Sequence, residues 1–551
     1  MDEKIVVKTI LESYEELEIS GESEGIIFFL LDGNEYGLWY PHMNMDTQRP
    51  IILIKDEDEL NYPHFLQGSI PWDDSGLDKY RVVCLYENDS TINFLQSYEE
   101  KIRETVERLI ELVSLSPLER EREYQKEFLY YWNNAAIQAK PVSLYIGDST
   151  SFKKLNVYQD EKEDLRFVSA GIRLNDYNKR VKNIKKWKHV PSYPAFYIPI
   201  IDKRRVVPPL YGKSWTSDDI LNIICGREFK RIDSETYIKL SEEKIKSNKV
   251  FLVFEMNIEG NEVCFTTLIG FKGAQNDTLL NCLKNNISEV QSVISKRVDY
   301  GYLSKQIGND IKLYNKKILL IGGGSLGSYL AHELVKAGIK EITIYDDDII
   351  EDENILRYSG GGYFVGIKKA SALQFDLHAI HPEINVKAVN EKMDEKLLTK
   401  EAENADLIIF TVGSSDLQLR LNRVLKEMAC KKKSVYAWLE AGGANSHILL
   451  IDYNKPGCFQ CLYTDSEGNP INNRANQITD VEVFKIRNGC GATRVAYGNT
   501  ILLRTAAVAL DAIKMIFEES LENNVLFDIT PTQVDNKGNT FVEGNCRCCG
   551  N

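Results

Sequence analysis

The sequence predicts an α/β protein in three parts. An α+β unit spans residues 1–125, a second α+β unit acts as a linker over 126–300, and a Rossmann-like doubly wound unit fills 301–551. Three observations predict this. The chain has 551 residues, which at roughly 100–200 residues per domain gives about three or four domains. Short strand-like runs dominate up to residue 300, and alternating strands and helices follow. A glycine-rich turn then sits between a strand-like and a helix-like run, where doubly wound sheets bind nucleotides.

The first unit opens with a helix-like segment, Ile5 to Leu17. Strand-like runs follow at Gly25–Leu31, Tyr36–Tyr40, Pro50–Lys55 and Tyr80–Tyr86. Tyr98 to Leu115 carries Ile102, Val106, Ile110 and Val113 at helical spacing, a closing helix. Pro117 to Ala139 is charged and reads as a helical connector. From Val142 to Lys272 the runs are short strands, among them Phe196–Ile201, Val250–Met256 and Glu262–Phe271, and Asn276 to Lys296 reads as an amphipathic helix. After residue 300 come strand Lys317–Ile321, helix Leu326–Ala337 and strands Glu341–Tyr345, Asp406–Thr411 and Ser434–Leu439.

The formal net charge is −14, which argues against nucleic acid or an anionic membrane as the main partner. No apolar run reaches the roughly 18–20 residues that span a bilayer, and MDEKIVVKTI lacks a signal-peptide core. The expectation is a cytoplasmic protein. Six of the 11 cysteines lie in the last hundred residues; such clustering suggests metal or thiol chemistry in a reducing compartment, not a disulfide framework.

The turn Gly322-Gly323-Gly324-Ser325-Leu326-Gly327 follows a strand and opens a helix, so backbone N–H groups and the helix dipole can meet phosphate. Asp346 ends the next strand, where a carboxylate accepts ribose hydroxyls. Taken alone, this suits an NAD enzyme, an ATP enzyme or a structural turn. The loop that follows supplies Asp348, Asn354 and Arg357, and Lys368 and Lys369 open another helix. A dehydrogenase needs no such loop, whereas an adenylating enzyme uses such groups on a triphosphate.

With the GGGSLG turn, the spaced Asp346, Asp348, Ile350, Asn354 and Arg357, and Val365-Gly366 before Lys369-Ala370, the last 250 residues resemble the adenylating domain of the ThiF/MoeB and ubiquitin-activating superfamily. The resemblance implies ATP and Mg2+ as cofactors. It also implies that Asp346 holds the ribose, that Asn354 and Arg357 contact phosphates, and that Lys369 is the phosphate lysine. The family usually has a magnesium-holding Asp in a turn after the next strand. This chain reads Thr411-Val412-Gly413-Ser414-Ser415-Asp416 there, and Asp416 is the substitute in a shifted register. Lys305 stands where the family often carries an arginine that reaches across a dimer, and a homodimer is expected by the same resemblance.

Cys458-Phe459-Gln460-Cys461 and Cys546-Arg547-Cys548-Cys549 form two CxxC pairs, the pattern of a tetrahedral structural Zn2+ site. Cys458, Cys461, Cys546 and Cys549 are the expected ligands, with Cys548 an alternative to Cys549. Cys490 lies between glycines ahead of an apolar helix, where a thiol is accessible and its pKa can fall. Related activating enzymes place their thioester cysteine in this crossover region. Cys84 ends a strand-like run downstream of Tyr62-Pro63-His64, an arrangement that resembles the active-site region of ubiquitin-conjugating domains, although no Asn follows the proline. Cys225, Cys264, Cys282 and Cys430 have no partner spacing and read as core.

The whole layout resembles bacterial fusions of conjugating-like and activating-like domains found with CBASS antiphage systems. That implies adenylation of a protein C-terminus with Arg357 and Asp416 assisting, thioesters on Cys490 and then Cys84, and transfer to a target amine. The substrate would carry a glycine-like C-terminal tail, as the operon's cyclic-nucleotide synthase or a ubiquitin-like protein would. A simple adenylyltransferase without conjugation, an NAD dehydrogenase and a non-enzymatic scaffold are the alternatives.

Overall fold

The computed structural model describes residues 3–23, 25–40, 48–55, 62–65, 80–86, 95–136, 141–147, 150–172, 174, 187–190, 194–209, 213–226, 228–273, 276–309, 311–428, 432–477, 485–487, 493–518, 521–542 and 546–549. Three main sheets organise them. The first is a five-stranded antiparallel meander, Glu18–Ser23, Ile26–Leu31, Asn34–Trp39, Ile51–Lys55 and Tyr80–Val83, each strand pairing with the next. Helices Glu3–Leu11 and Tyr98–Val113 cover one face, where Val7, Leu11, Ile102, Val106 and Leu109 meet Phe29, Leu38, Ile54 and Val83 in one buried cluster. Ser97 and Glu100 form a capping box that fixes where Tyr98–Val113 begins.

The second sheet has nine mixed strands. Its path runs Ile287–Val293, Asn261–Phe271, Lys249–Ile258, Ala195–Pro199, Lys153–Gln159, Leu165–Ser169, Val142–Tyr145 and Ser295–Arg297, and the ninth strand, Lys188–His189, pairs off this path with Lys153–Gln159. Helix Phe128–Asn134 packs beneath it, and Trp132 donates its indole N–H to the Thr266 carbonyl at 3.2 Å. The expected helix Asn276–Lys296 is corrected here. The helix is only Leu279–Asn285, and Ile287–Val293 is an edge strand antiparallel to Asn261–Phe271. Ile287, Val290 and Val293 recur every three residues, which imitates a helical face, but these β-branched side chains suit a pleated, half-buried strand. The opening helix likewise stops at Leu11 rather than Leu17, and the polar run Glu18–Ser23 becomes an edge strand.

The third sheet has eight strands in the order Asn385–Val389, Glu341–Tyr345, Lys317–Ile321, Leu407–Phe410, Lys433–Leu439, Ser446–Asp452, Val525–Ile529 and Val534–Asn536. The first five are parallel and the rest antiparallel. Lys317–Ile321 pairs with Glu341–Tyr345 on one side and Leu407–Phe410 on the other, so the strand order reverses at its edge. Ligand crevices of open α/β sheets form beyond the carboxyl ends at such a point. Helices Ser325–Lys336 and Asn499–Glu518 pack on one face through Leu330, Leu334, Leu502, Ala506, Ala509 and Ile513. Among the described residues, no helix is long and apolar enough to cross a membrane.

Candidate functional site

A cleft of about 640 Å³ opens at that reversal point. Its floor is the turn after Lys317–Ile321. Gly322 has φ +103°, and a Cβ there would approach Val412 at 2.9 Å. Gly327 is still more constrained, since a Cβ would press into the Gly322 carbonyl oxygen. These two glycines let helix Ser325–Lys336 begin directly against the strand, with its free N–H groups facing the cleft. The Thr411 hydroxyl donates to the Gly322 carbonyl at 2.7 Å and ties the turn to the neighbouring strand end.

Gly322, Gly324, Ser325, Leu326, Asp346, Asp348, Asn354, Arg357 and Lys369 all line the cleft, while Gly327 lies behind the turn. Asp346 is mostly buried, and its two carboxylate oxygens accept from the Gly323 N–H at 2.7 Å and the Asp348 N–H at 3.0 Å. Burial pushes its pKa up, against the pull of Lys369 and the two N–H groups. Lys369 begins its helix and donates to Asp348 at 2.7 Å. Asn354 is buried, and its side-chain oxygen accepts from the Glu351 N–H at 3.1 Å, which fixes the loop. Arg357 reaches the Tyr497 hydroxyl at 3.4 Å.

Asp416 is placed differently. It is not among the cleft-lining residues; its side chain is 84% exposed and pairs with Arg420 along its own helix at 3.3 Å. Ser414 caps that helix by accepting the Leu417 N–H, so Ser414, Ser415 and Leu417 face the cleft and Asp416 faces solvent. The carboxylates that do line the cleft are Asp346, Asp347, Asp348 and Glu391, an oxygen-donor set suited to magnesium. Lys305 is engaged elsewhere, donating to Glu262 of the second sheet at 2.9 Å. The far end of the cleft was not apparent from the sequence. Trp438, Phe459, Tyr463, Asn473, Asn476 and Tyr497 form it, brought from four separate segments.

Cys458, Cys461, Cys546 and Cys549 come together, with all four sulfurs within 4.8 Å of one another. Cys458 lies 3.8 Å from Cys546, and Cys461 lies 3.3 Å from Cys549. A tetrahedron with Zn–S bonds of roughly 2.3 Å has edges of about this length, so the thiols fit zinc. Cys548 is nearby but takes another contact: Asn422 donates its side-chain amide to Cys458 at 3.4 Å and to Cys548 at 3.5 Å. Hydrogen bonds from the neighbouring thiols push the Cys458 pKa down, and the hydrogen bonds to Cys458 push Cys461 and Cys549 up.

Cys84 is half-buried just after strand Tyr80–Val83. Its N–H donates to the His64 carbonyl at 2.8 Å, and its thiol faces the Tyr86 carbonyl at 3.7 Å. The Tyr86 ring lies between the Arg49 and Arg108 guanidinium groups, each 4.3 Å from its centre, and both arginines share Glu104. Arg108 also donates to the Leu85 carbonyl at 3.1 Å. His64 has φ +67°, and its ring sits between Glu127 at 3.2 Å and Glu123 at 3.5 Å. Burial opposes the charged ring, but the two carboxylates outweigh it and raise the pKa. Cys264 and Cys282 are buried and Cys225 is half-buried, while Cys490 and Cys430 lie outside the described residues.

Residues 304–547 match the ThiF family. The "ATP-dependent ubiquitin transferase-like protein Cap2" of Vibrio cholerae serotype O1 is 27% identical over 269 residues, covering 46% of this chain and 41% of that protein. The Escherichia coli (strain TW11681) protein of the same description is 24% identical over 220 residues, covering 38% of this chain and 36% of that protein. The chain thus spans less than half the length of these relatives. The crystal structure of E. coli MccB is similar over 44% of this chain and 66% of that chain, at 22% identity and a TM-score of 0.35. Residues 304–547 are a ThiF family domain, of the ThiF/MoeB type, and are related to the Cap2 proteins over part of their length.

Proposed function

We propose that the cleft binds ATP and adenylates the C-terminal carboxylate of a protein substrate, the first step of a ubiquitin-like conjugation. The observation that carries this reading is the convergence of the glycine turn, Asp346, Arg357 and Lys369 on one crevice inside a ThiF family domain. Asp346, fixed by two backbone N–H groups, keeps lone pairs for the ribose hydroxyls. The first N–H groups of helix Ser325–Lys336 receive phosphate oxygens. Arg357 and Lys369 place cations where charge grows as the substrate carboxylate attacks the α-phosphorus and pyrophosphate departs. Magnesium, when bound by cleft carboxylates, neutralises phosphate charge.

In the later steps of this reading, the Cys490 thiolate attacks the acyl carbon and AMP leaves with the bonding electron pair. The acyl group then passes to Cys84, whose backbone is tied to His64 and whose following residues, Leu85 and Tyr86, are held by Arg108 and Arg49, as suits a fixed nucleophile. An amine on a target finally displaces Cys84 to form an amide. The substrate is a protein with a glycine-like tail, the active form is a homodimer through the ThiF domains, and the setting is CBASS-type antiphage defence. A simple adenylyltransferase is the second reading, favoured by a family match confined to residues 304–547.

Incubation with ATP and a tail-bearing protein, resolved on a non-reducing gel, separates the two readings. The relay predicts reductant-sensitive adducts that shift from both cysteines to Cys490 alone in Cys84→Ala, with amide conjugates lost. Adenylate formation with no reductant-sensitive adduct and no conjugate in the wild type would leave only the simple adenylyltransferase, and conjugation at the wild-type rate in Cys84→Ala would rule out Cys84 as a carrier.

A further inference from the structure

His447 belongs to no step above, yet it is among the most constrained groups in the molecule. It lies on strand Ser446–Asp452 with its side chain 0% exposed. Its Nε2 is 2.6 Å from a Glu440 carboxylate oxygen, and its Nδ1 is 2.7 Å from an Asp528 carboxylate oxygen. The Trp438 ring, directly opposite in the strand pair, stacks on the imidazole at 5.0 Å. Trp438 is a wall of the cleft, and its indole N–H donates to the Asn476 side-chain oxygen at 2.9 Å. Both oxygens of Glu440 accept the Gln477 N–H, at 3.1 and 3.0 Å. His447 therefore backs the two groups that hold residues 476 and 477 at the cleft's far end. In sequence, Cys490 follows thirteen residues after Gln477.

We propose that His447 is a positioning residue for the far wall of the cleft: fixed between Glu440 and Asp528, it holds Trp438 against Asn476 and aims the Glu440 carboxylate at the Gln477 amide, so the wall is ordered only while the imidazole is charged. A doubly hydrogen-bonded imidazole between two carboxylates must donate from both nitrogens, which only the cation does. The charged groups that face it are Glu440, at the end of strand Lys433–Leu439, and Asp528, on strand Val525–Ile529; the Trp438 face is uncharged. Burial opposes the charge, but the two carboxylates outweigh it and raise the pKa above the ordinary histidine value. The hold is thus complete below pH ~6.5 and is lost as pH rises through the raised value.

The inference rests on the proposed function only for what the wall does; the wall's order can be measured without a substrate. Hydrogen exchange of the full-length protein, corrected for intrinsic rates and followed at the Gln477 amide between pH 6 and 9, is the test. In the wild type, Gln477 protection is expected to fall as pH rises, while amides of Ser446–Asp452 stay protected. In His447→Gln, Gln477 should exchange about tenfold faster at pH 6 with little further pH dependence, the scale of losing a charge-assisted hydrogen bond. Equal Gln477 protection in the two proteins overturns the proposal. If His447→Gln does not fold, a flat wild-type profile overturns it alone, and a falling profile supports it. Failure of ATP–pyrophosphate exchange would sink the adenylation reading and leave this result standing.

Discussion

Gly327 shows how a single missing Cβ allows a site. The helix whose first N–H groups face the cleft starts so close to the strand that any side chain at 327 meets the Gly322 carbonyl. Overpacking typically costs about 1–3 kcal/mol, and here it also displaces the turn. Gly327→Ala is expected to lower the melting temperature and to abolish ATP binding, read by thermal shift with and without nucleotide; an unchanged nucleotide-induced shift would contradict this role. Asp346, Arg357 and Lys369 were legible at this scale because their spacing from the turn is local. Asp416 was not, because one capping serine decides which side of a helix start faces the crevice. Trp438, Asn476 and Tyr497 carried no sequence signal, since only the folded sheet brings them into one cleft with Arg357.

Among the elements, the two short CxxC turns give the fourfold sulfur cluster its anchoring role. It joins the 458–461 turn to the 546–549 segment, and Asn422 on helix Ser415–Glu427 holds both sides. The purified protein is expected to contain about one zinc per chain, from the four-thiolate donor set. Cys461→Ser should lose the metal and loosen residues 546–549 toward proteolysis; metal analysis showing no zinc in the wild type would contradict the ligand assignment. Element legibility followed burial. Strands Lys317–Ile321 and Leu407–Phe410, covered on both faces, read as unbroken apolar runs. The polar edge strand Glu18–Ser23 and the helix-like spacing of Ile287–Val293 did not, because edge strands need no clean alternation.

Across the whole molecule, ion pairs sit where the sheets meet the segments that join them. Arg297 ends the second sheet with its side chain 5% exposed and pairs with Glu255, Glu262 and Asp299 at 2.9, 2.6 and 2.7 Å. Lys305, on the first helix beyond that junction, shares Glu262. Arg297→Ala leaves three carboxylates without their common cation, and removal of one partner from a buried pair costs about 3–5 kcal/mol. The variant should melt earlier and be cut by protease near residue 300; wild-type behaviour in both assays would show the junction to be unimportant. On the opposite side, His64 links the first sheet to helices Pro117–Lys126 and Phe128–Asn134 through Glu123 and the Tyr131 hydroxyl, so the strand next to Cys84 is held by the connector. The central claim remains that the crevice at the reversal of the third sheet adenylates a protein tail. The most direct measurement is ATP–pyrophosphate exchange with and without a protein ending in glycine. The account predicts exchange that requires the tail, falls at least about a hundredfold in Lys369→Ala, as loss of a charge stabiliser implies, and stays near wild type in Asp416→Asn. Exchange independent of the tail, or undiminished in Lys369→Ala, would contradict it.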